Sequence, residues 1–92
     1  MKSDKEILTE IITKHLSGAK IYLFGSRARG DYSPESDYDI AVDVGEKIDG
    51  YVLSLIREEV EESVIPFTVD IVDLHTVSED FKKQILKEAQ LW

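Results

Sequence analysis

Apolar residues recur at Ile7, Leu8, Ile11, Ile12 and Leu16, the three-and-four spacing of one helix face, and the run closes at Gly18. Ser3 and Glu6 have capping-box spacing, so the pattern predicts a helix over residues 4–17. The periodicity then changes. Ile21-Tyr22-Leu23-Phe24 is a short continuous apolar run ended by Gly25, which predicts a buried strand. Residues 25–36 read as a loop with room for one helical turn, and 37–44 alternates as a second strand ended by Gly45. Val52, Leu55, Ile56 and Val60 mark a helix from about residue 49 to 63, stopped before Pro66. Residues 67–74 predict a third strand. Ser78 can cap a last helix carrying Phe81, Ile85, Leu86 and Ala89, after which the chain reaches Trp92.

This order predicts an α/β fold, a small mixed β-sheet of about three strands with helices packed on it. Strands two and three, joined through a helix, should run parallel. Strand one must run antiparallel to strand two if the Gly25 turn is to meet Asp37.

The pattern shows no repeat and no long linker, so residues 1–92 read as one domain with one modest core. Charge narrows the partners. With 11 Lys plus Arg against 19 Asp plus Glu the net charge is -8, which disfavours a broad electrostatic grip on nucleic acid or an anionic membrane. The chain has no cysteine, hence no disulfide frame and no thiolate zinc site, and no apolar run approaches the roughly 18 residues of a membrane span. Its first residues, MKSDKEILTE, lack a signal-peptide core, so a soluble cytoplasmic protein is the expectation.

The candidate chemistry lies at the head of the second strand. Residues two apart on a strand share a face at about 7 Å, so Asp37 and Asp39 can converge while Tyr38 and Ile40 face the other way. Asp43 has the same parity but lies about 13 Å further along, which excludes it. On the third strand Asp70 shares a face with Thr68 and Val72 and can stand across the sheet from Asp39. Three gathered carboxylates repel unless a cation neutralises them, and a hard ion such as magnesium, completed by phosphate and water, suits oxygen donors. Gly25 lets backbone approach a phosphate closely, Ser26 offers a hydroxyl and an amide, and Arg27 and Arg29 add positive charge. Two decoys fall away. Asp31 and Tyr32 stand where a Walker A loop needs Lys and Ser or Thr, and Arg29-Gly30-Asp31 is a three-letter adhesion match in a chain without signs of secretion.

Gly25-Ser26 after an apolar strand, ten intervening residues, then Asp37-Tyr38-Asp39 within a second strand resembles the nucleotidyltransferases of the DNA polymerase beta superfamily, in particular their minimal stand-alone type. The extended forms GSRARG and SDYDIAV sharpen the likeness, and Val69-Asp70-Ile71-Val72 falls where that family carries a third carboxylate. The resemblance implies transfer of a nucleoside monophosphate from ATP or another nucleoside triphosphate to an acceptor hydroxyl. Asp37 and Asp39 would hold two Mg2+ ions, Asp70 would complete the catalytic metal site, and Gly25 and Ser26 would seat the β and γ phosphates, with Arg27 beside the nucleotide. It also implies an all-helical HEPN partner, in which the nucleotidyltransferase is the antitoxin of a toxin–antitoxin pair and adenylylates the partner's tyrosine.

Against this stands a binding module that keeps the fold and neutralises its partner by contact alone. Intact Gly25, Ser26, Asp37, Asp39 and Asp70 weigh against it, since a pure binder is free to lose them. A transferase acting on nucleic-acid ends is disfavoured by the acidic surface. His15 and His75 lack metal-ligand spacing, and Tyr22, Tyr32 and Tyr38 read as packing or rim residues. The apolar residues of the last helix leave two readings, contact with a partner helix or a second copy, and a simple cap on the core.

Overall fold

The computed structural model describes residues 1–92. The first helix, α1 (Asp4–His15), is capped by Ser3, whose hydroxyl accepts from the Glu6 N–H at 3.2 Å. It ends two residues before the sequence-based limit. Leu16 makes the last helical bond, to the Ile12 carbonyl, and Ser17 is spent on the reversal that Gly18 completes at φ 76°. Strand β1 (Lys20–Phe24) leads to a one-turn helix, α2 (Ser26–Arg29), and then to β2 (Tyr38–Asp43). Asp49 caps α3 (Gly50–Glu61), accepting from the Tyr51 and Val52 N–H groups. After β3 (Val69–Asp73), Ser78 caps α4 (Glu79–Glu88) through the Phe81 N–H, as its spacing predicts.

A fourth strand, β4 (Gln90–Leu91), corrects the expectation of three. Two residues carry no alternation to read. The strand exists because Tyr22 and Leu23 offer an open edge to Leu91 and Gln90, and the Trp92 N–H then reaches the Ile21 carbonyl at 2.8 Å. The sheet order is β3-β2-β1-β4, with β1 antiparallel to β2 and β2 parallel to β3, as the site required. Strands β2 and β3 are shorter than their apolar patterns because the ladder between them starts at Tyr38↔Val69 and ends at Val42↔Asp73.

Alternation along the strands gives each sheet face its own core. Ile21, Leu23, Ile40, Val42 and Ile71 join Leu8 and Ile12 of α1 and Ile56 and Val60 of α3. On the opposite parity, Phe24 and Ala41 join Leu74, just after β3, and Ile85 of α4. Fully burying an aliphatic side chain contributes about 1.5–3 kcal/mol. Ile40, with no exposed surface, therefore fixes which face of β2 points inward and which face is left for the aspartates. At the far end of the sheet the buried Asp73 accepts from the Ile48 N–H at 2.8 Å and the His75 N–H at 2.9 Å, tying two loops together. The edge of β3 is partly covered, since Arg57 Nη2 donates to the Ile71 carbonyl at 2.7 Å. No helix is long and apolar enough to cross a membrane.

Candidate active site

Strand register brings the acidic residues together. Phe24 pairs with Asp39, so the Gly25 turn stands beside that carboxylate, and Asp39 pairs with Asp70 across the parallel ladder. Asp37 lies one residue ahead of β2. Between the two aspartates, Tyr38 faces the other way. Its hydroxyl donates to Asp4 at 2.7 Å, and its ring packs near those of Phe67 and Trp92. Burial first, and the Asp4 carboxylate next, push the Tyr38 hydroxyl up to about 12, so it stays a neutral donor. This anchor on α1 holds the head of β2 in one orientation.

Gly25 is required on two independent grounds. Its φ of 75° and ψ of -158° lie where essentially only glycine is at ease. A β-carbon there would also stand 2.2 Å from Asp39 Oδ2. The turn and the carboxylate are thus in direct apposition, which is what a ligand bridging both would need.

The electrostatics record crowding. Burial holds the Asp39 carboxyl above its ordinary value, and Asp70, Asp37 and Glu88 push it further in the same direction while Arg29 opposes them. Asp37 and Asp70 are themselves exposed. This excess of negative charge on hard oxygen donors fits a divalent cation such as Mg2+. Acidic side chains are not drawn into a closed cage of three or more. Magnesium ordinarily uses one or two carboxylates and takes the rest of its ligands from substrate phosphate and water, so an open arrangement suits it.

The two arginines divide their roles. Arg27 donates to the Ser36 carbonyl at 3.0 Å and the Pro34 carbonyl at 3.2 Å, and its guanidinium lies 4.0 Å from the Tyr38 ring centre and 5.0 Å from those of Tyr32 and Phe67. In this conformation it holds the 31–36 loop that delivers Asp37. Arg29 pairs with Asp31 at 3.4 Å and also with Glu88 of α4 at 3.2 Å. Sequence reasoning missed Glu88. It reads as one more charge on an amphipathic helix, and only the packing of α4 carries it to the Gly25 turn.

Asp43 is outside the site, as its distance along the strand predicted. It accepts from the Gly45 N–H at 2.8 Å and lies 2.7 Å from His75 Nε2. Those two partners, the amide first, hold its carboxyl below the ordinary value. His15 pairs with Glu59 on the helical face. A groove of about 430 Å³ runs between the end of α3 and edge strand β3, lined by Val60, Ile65, Phe67 and Thr68, and meets the acidic cluster at Asp70.

Comparison with known proteins gives a consistent picture. The family model described as "Polymerase beta, Nucleotidyltransferase" matches residues 6–91. A protein of Haemophilus influenzae named "Probable protein adenylyltransferase MntA" is 34% identical over 83 residues, covering 90% of this chain and 69% of its own length. Across the curated relatives it matches, the chain spans 52% to 69% of their length. A crystal structure of a toxin–antitoxin with AMP-PNP superposes with a TM-score of 0.82 at 24% identity, covering 98% of this chain and 73% of that one. The structure of a tri-AMPylated Shewanella oneidensis HEPN toxin in complex with its MNT antitoxin contains a chain that matches at a TM-score of 0.72 and 23% identity, over 94% of this chain and 66% of that one. At these identities the structural matches establish the fold.

Proposed function

The chain belongs to the polymerase beta nucleotidyltransferase family, and from that premise we propose that it is a protein adenylyltransferase acting on a HEPN-type toxin as the antitoxin of the pair. The observation that carries the chemistry is the apposition of the Gly25 turn to Asp39, with Asp70 paired to Asp39 on the next strand. The relative's name as a protein adenylyltransferase and the AMPylated toxin in the neighbouring complex support adenylate as the transferred group and a HEPN protein as the acceptor.

In this reading Gly25 and Ser26 receive the terminal phosphates, with the Ser26 hydroxyl and backbone amides as donors. Asp37, Asp39 and Asp70 would hold Mg2+, which supplies charge neutralisation to the attacking and leaving oxygens of an in-line displacement. The acceptor hydroxyl oxygen forms a bond to the α-phosphorus, the bond from that phosphorus to the bridging oxygen of pyrophosphate breaks, and the hydroxyl proton passes to Asp70. Asp70 suits that role. It is exposed and borders the open groove beside β3, the side from which an acceptor side chain can approach, whereas Asp39 is walled in by the Gly25 turn.

The test is transfer of label from α-labelled ATP with magnesium to a HEPN toxin, beside a nucleotide titration. Wild type should label the partner. Asp70→Asn should bind nucleotide within a few-fold of wild type and turn over about 10²–10⁴ times more slowly, the range for loss of one proton-transfer group. Normal transfer by Asp70→Asn would remove Asp70 from the mechanism. Neutralisation of the toxin without any transfer by wild type would favour the contact-only module.

A further inference from the structure

The Gly25 turn is already engaged by an anion of the chain itself. Glu88, the last residue of α4, accepts from the Gly25 N–H at 3.2 Å, and Arg29 Nη1 lies 3.3 and 3.2 Å from its two carboxylate oxygens. The Glu88 side chain is only 22% exposed. A carboxylate and a phosphoryl group make the same demand on a protein: oxygen acceptors that take backbone N–H groups and a guanidinium. Glu88 meets that demand at the turn that abuts Asp39. It stays there because its neighbours are fixed. The Gln90 side chain donates to the Ala28 carbonyl at 3.0 Å, and β4 is hydrogen-bonded to β1. Only a side-chain rotation, without unfolding of α4, is needed to withdraw it.

Resting on the nucleotide reading above, we propose that Glu88 is an internal competitor of the triphosphate, occupying the Gly25 amide and Arg29 until a phosphoryl group displaces it, and that it thereby sets the nucleotide affinity of the site. Three acidic side chains already face this corner, and Glu88 adds to the negative potential felt at Asp39. An arriving polyanion must therefore take Arg29 from Glu88 as well as meet the aspartates. Removing the Glu88 charge frees Arg29 for phosphate and lowers the repulsion at once.

Glutamine separates this role from that of a simple brace, because Glu88→Gln keeps an oxygen that can accept from the Gly25 N–H and loses only the charge. Calorimetric titration with MgATP, and separately with magnesium tripolyphosphate, would be run on wild type, Glu88→Gln, Glu88→Ala and the exposed α4 control Glu79→Gln. Competition predicts that Glu88→Gln binds both ligands about tenfold tighter, a coupling of ordinary size between mutually exclusive ligands, with Glu79→Gln unchanged. A brace predicts that Glu88→Gln matches wild type and Glu88→Ala binds more weakly, and either result overturns the proposal. Should Glu88→Ala fail to fold, the glutamine variant decides. If wild type binds and Glu88→Gln binds no tighter, only the competitor role falls; if folded wild type and variants all fail to bind, the nucleotide reading falls with it.

Discussion

Replacing Gly25 with alanine perturbs the site by one methyl group whose two effects can be separated. The first is backbone strain. With φ 75° and ψ -158°, any residue with a β-carbon is held in a region that costs about 1–3 kcal/mol. The second is contact, since the new carbon would stand 2.2 Å from Asp39 Oδ2, whereas non-bonded atoms settle at about 3.5 Å. Asp39 must therefore move by about 1 Å or the turn must open by as much. For a domain of this size each kcal/mol shifts the melting temperature by about 4–8 °C, so strain alone predicts a fall of roughly 4–24 °C. On the proposed mechanism, displacing the Asp39 carboxylate by about 1 Å predicts adenylyl transfer down on the order of 10²-fold. Gly45 supplies the control. It also has a positive φ, 85°, but its β-carbon would meet nothing within 4 Å, so Gly45→Ala should lower the melting temperature and leave transfer intact. The measurements are thermal melts and initial transfer rates on the same preparations. Gly25→Ala with wild-type transfer, or with a rate reduced no more than in Gly45→Ala, would refute the apposition of the turn and Asp39.

Two further outcomes follow from charge and from Arg27. Because burial and then Asp70 and Asp37 hold the Asp39 carboxyl above its ordinary value, the folded state keeps a proton that the unfolded chain has released; without metal or nucleotide, stability falls as pH rises through that window and stays reduced above it. Asp39→Asn should therefore abolish transfer yet melt higher than wild type near neutral pH, with a flatter profile from about pH 4 upward; melting at or below the wild-type temperature would contradict this. Arg27→Lys should destabilise the fold by about 1–2 kcal/mol in a denaturant titration, since a lysine cannot donate to the Ser36 and Pro34 carbonyls while lying against three rings.

What the sequence disclosed follows from the range of the forces involved. Ser3 and Ser78 cap through bonds to the residue three positions on, and the faces of β1 and β2 follow from a period of two, so these elements can be read locally. The pairing of Asp39 with Asp70 was also legible, because a helical crossover makes β2 and β3 parallel and parity then decides which residues share a face. The rest depends on distant packing. Strand β4 is created by the free edge of β1. The packing of Arg27 against Tyr38 and Phe67 joins residues far apart in the chain, and Glu88 looks like solvated helix surface until Ile85, one turn earlier, is buried against Phe24, Ala41 and Leu74.

That last dependence ties the core to the site. Ile85 has no exposed surface and sits three residues before Glu88 on α4, so the apolar contact that docks the helix also aims the carboxylate at Gly25 and Arg29. The acidic corner is likewise held in place from behind, by Ile40 in the core and by the Tyr38 hydroxyl on Asp4. Repulsion among Asp37, Asp39, Asp70 and Glu88 cannot relax by moving the strand or the helix, because each is fixed by buried apolar surface on its other face. Within the fold only Arg29 and a proton retained on Asp39 offset that charge; in the proposed complex a cation accompanied by a polyphosphate would bring positive charge to the aspartates and phosphoryl oxygens to the donors that Glu88 now holds.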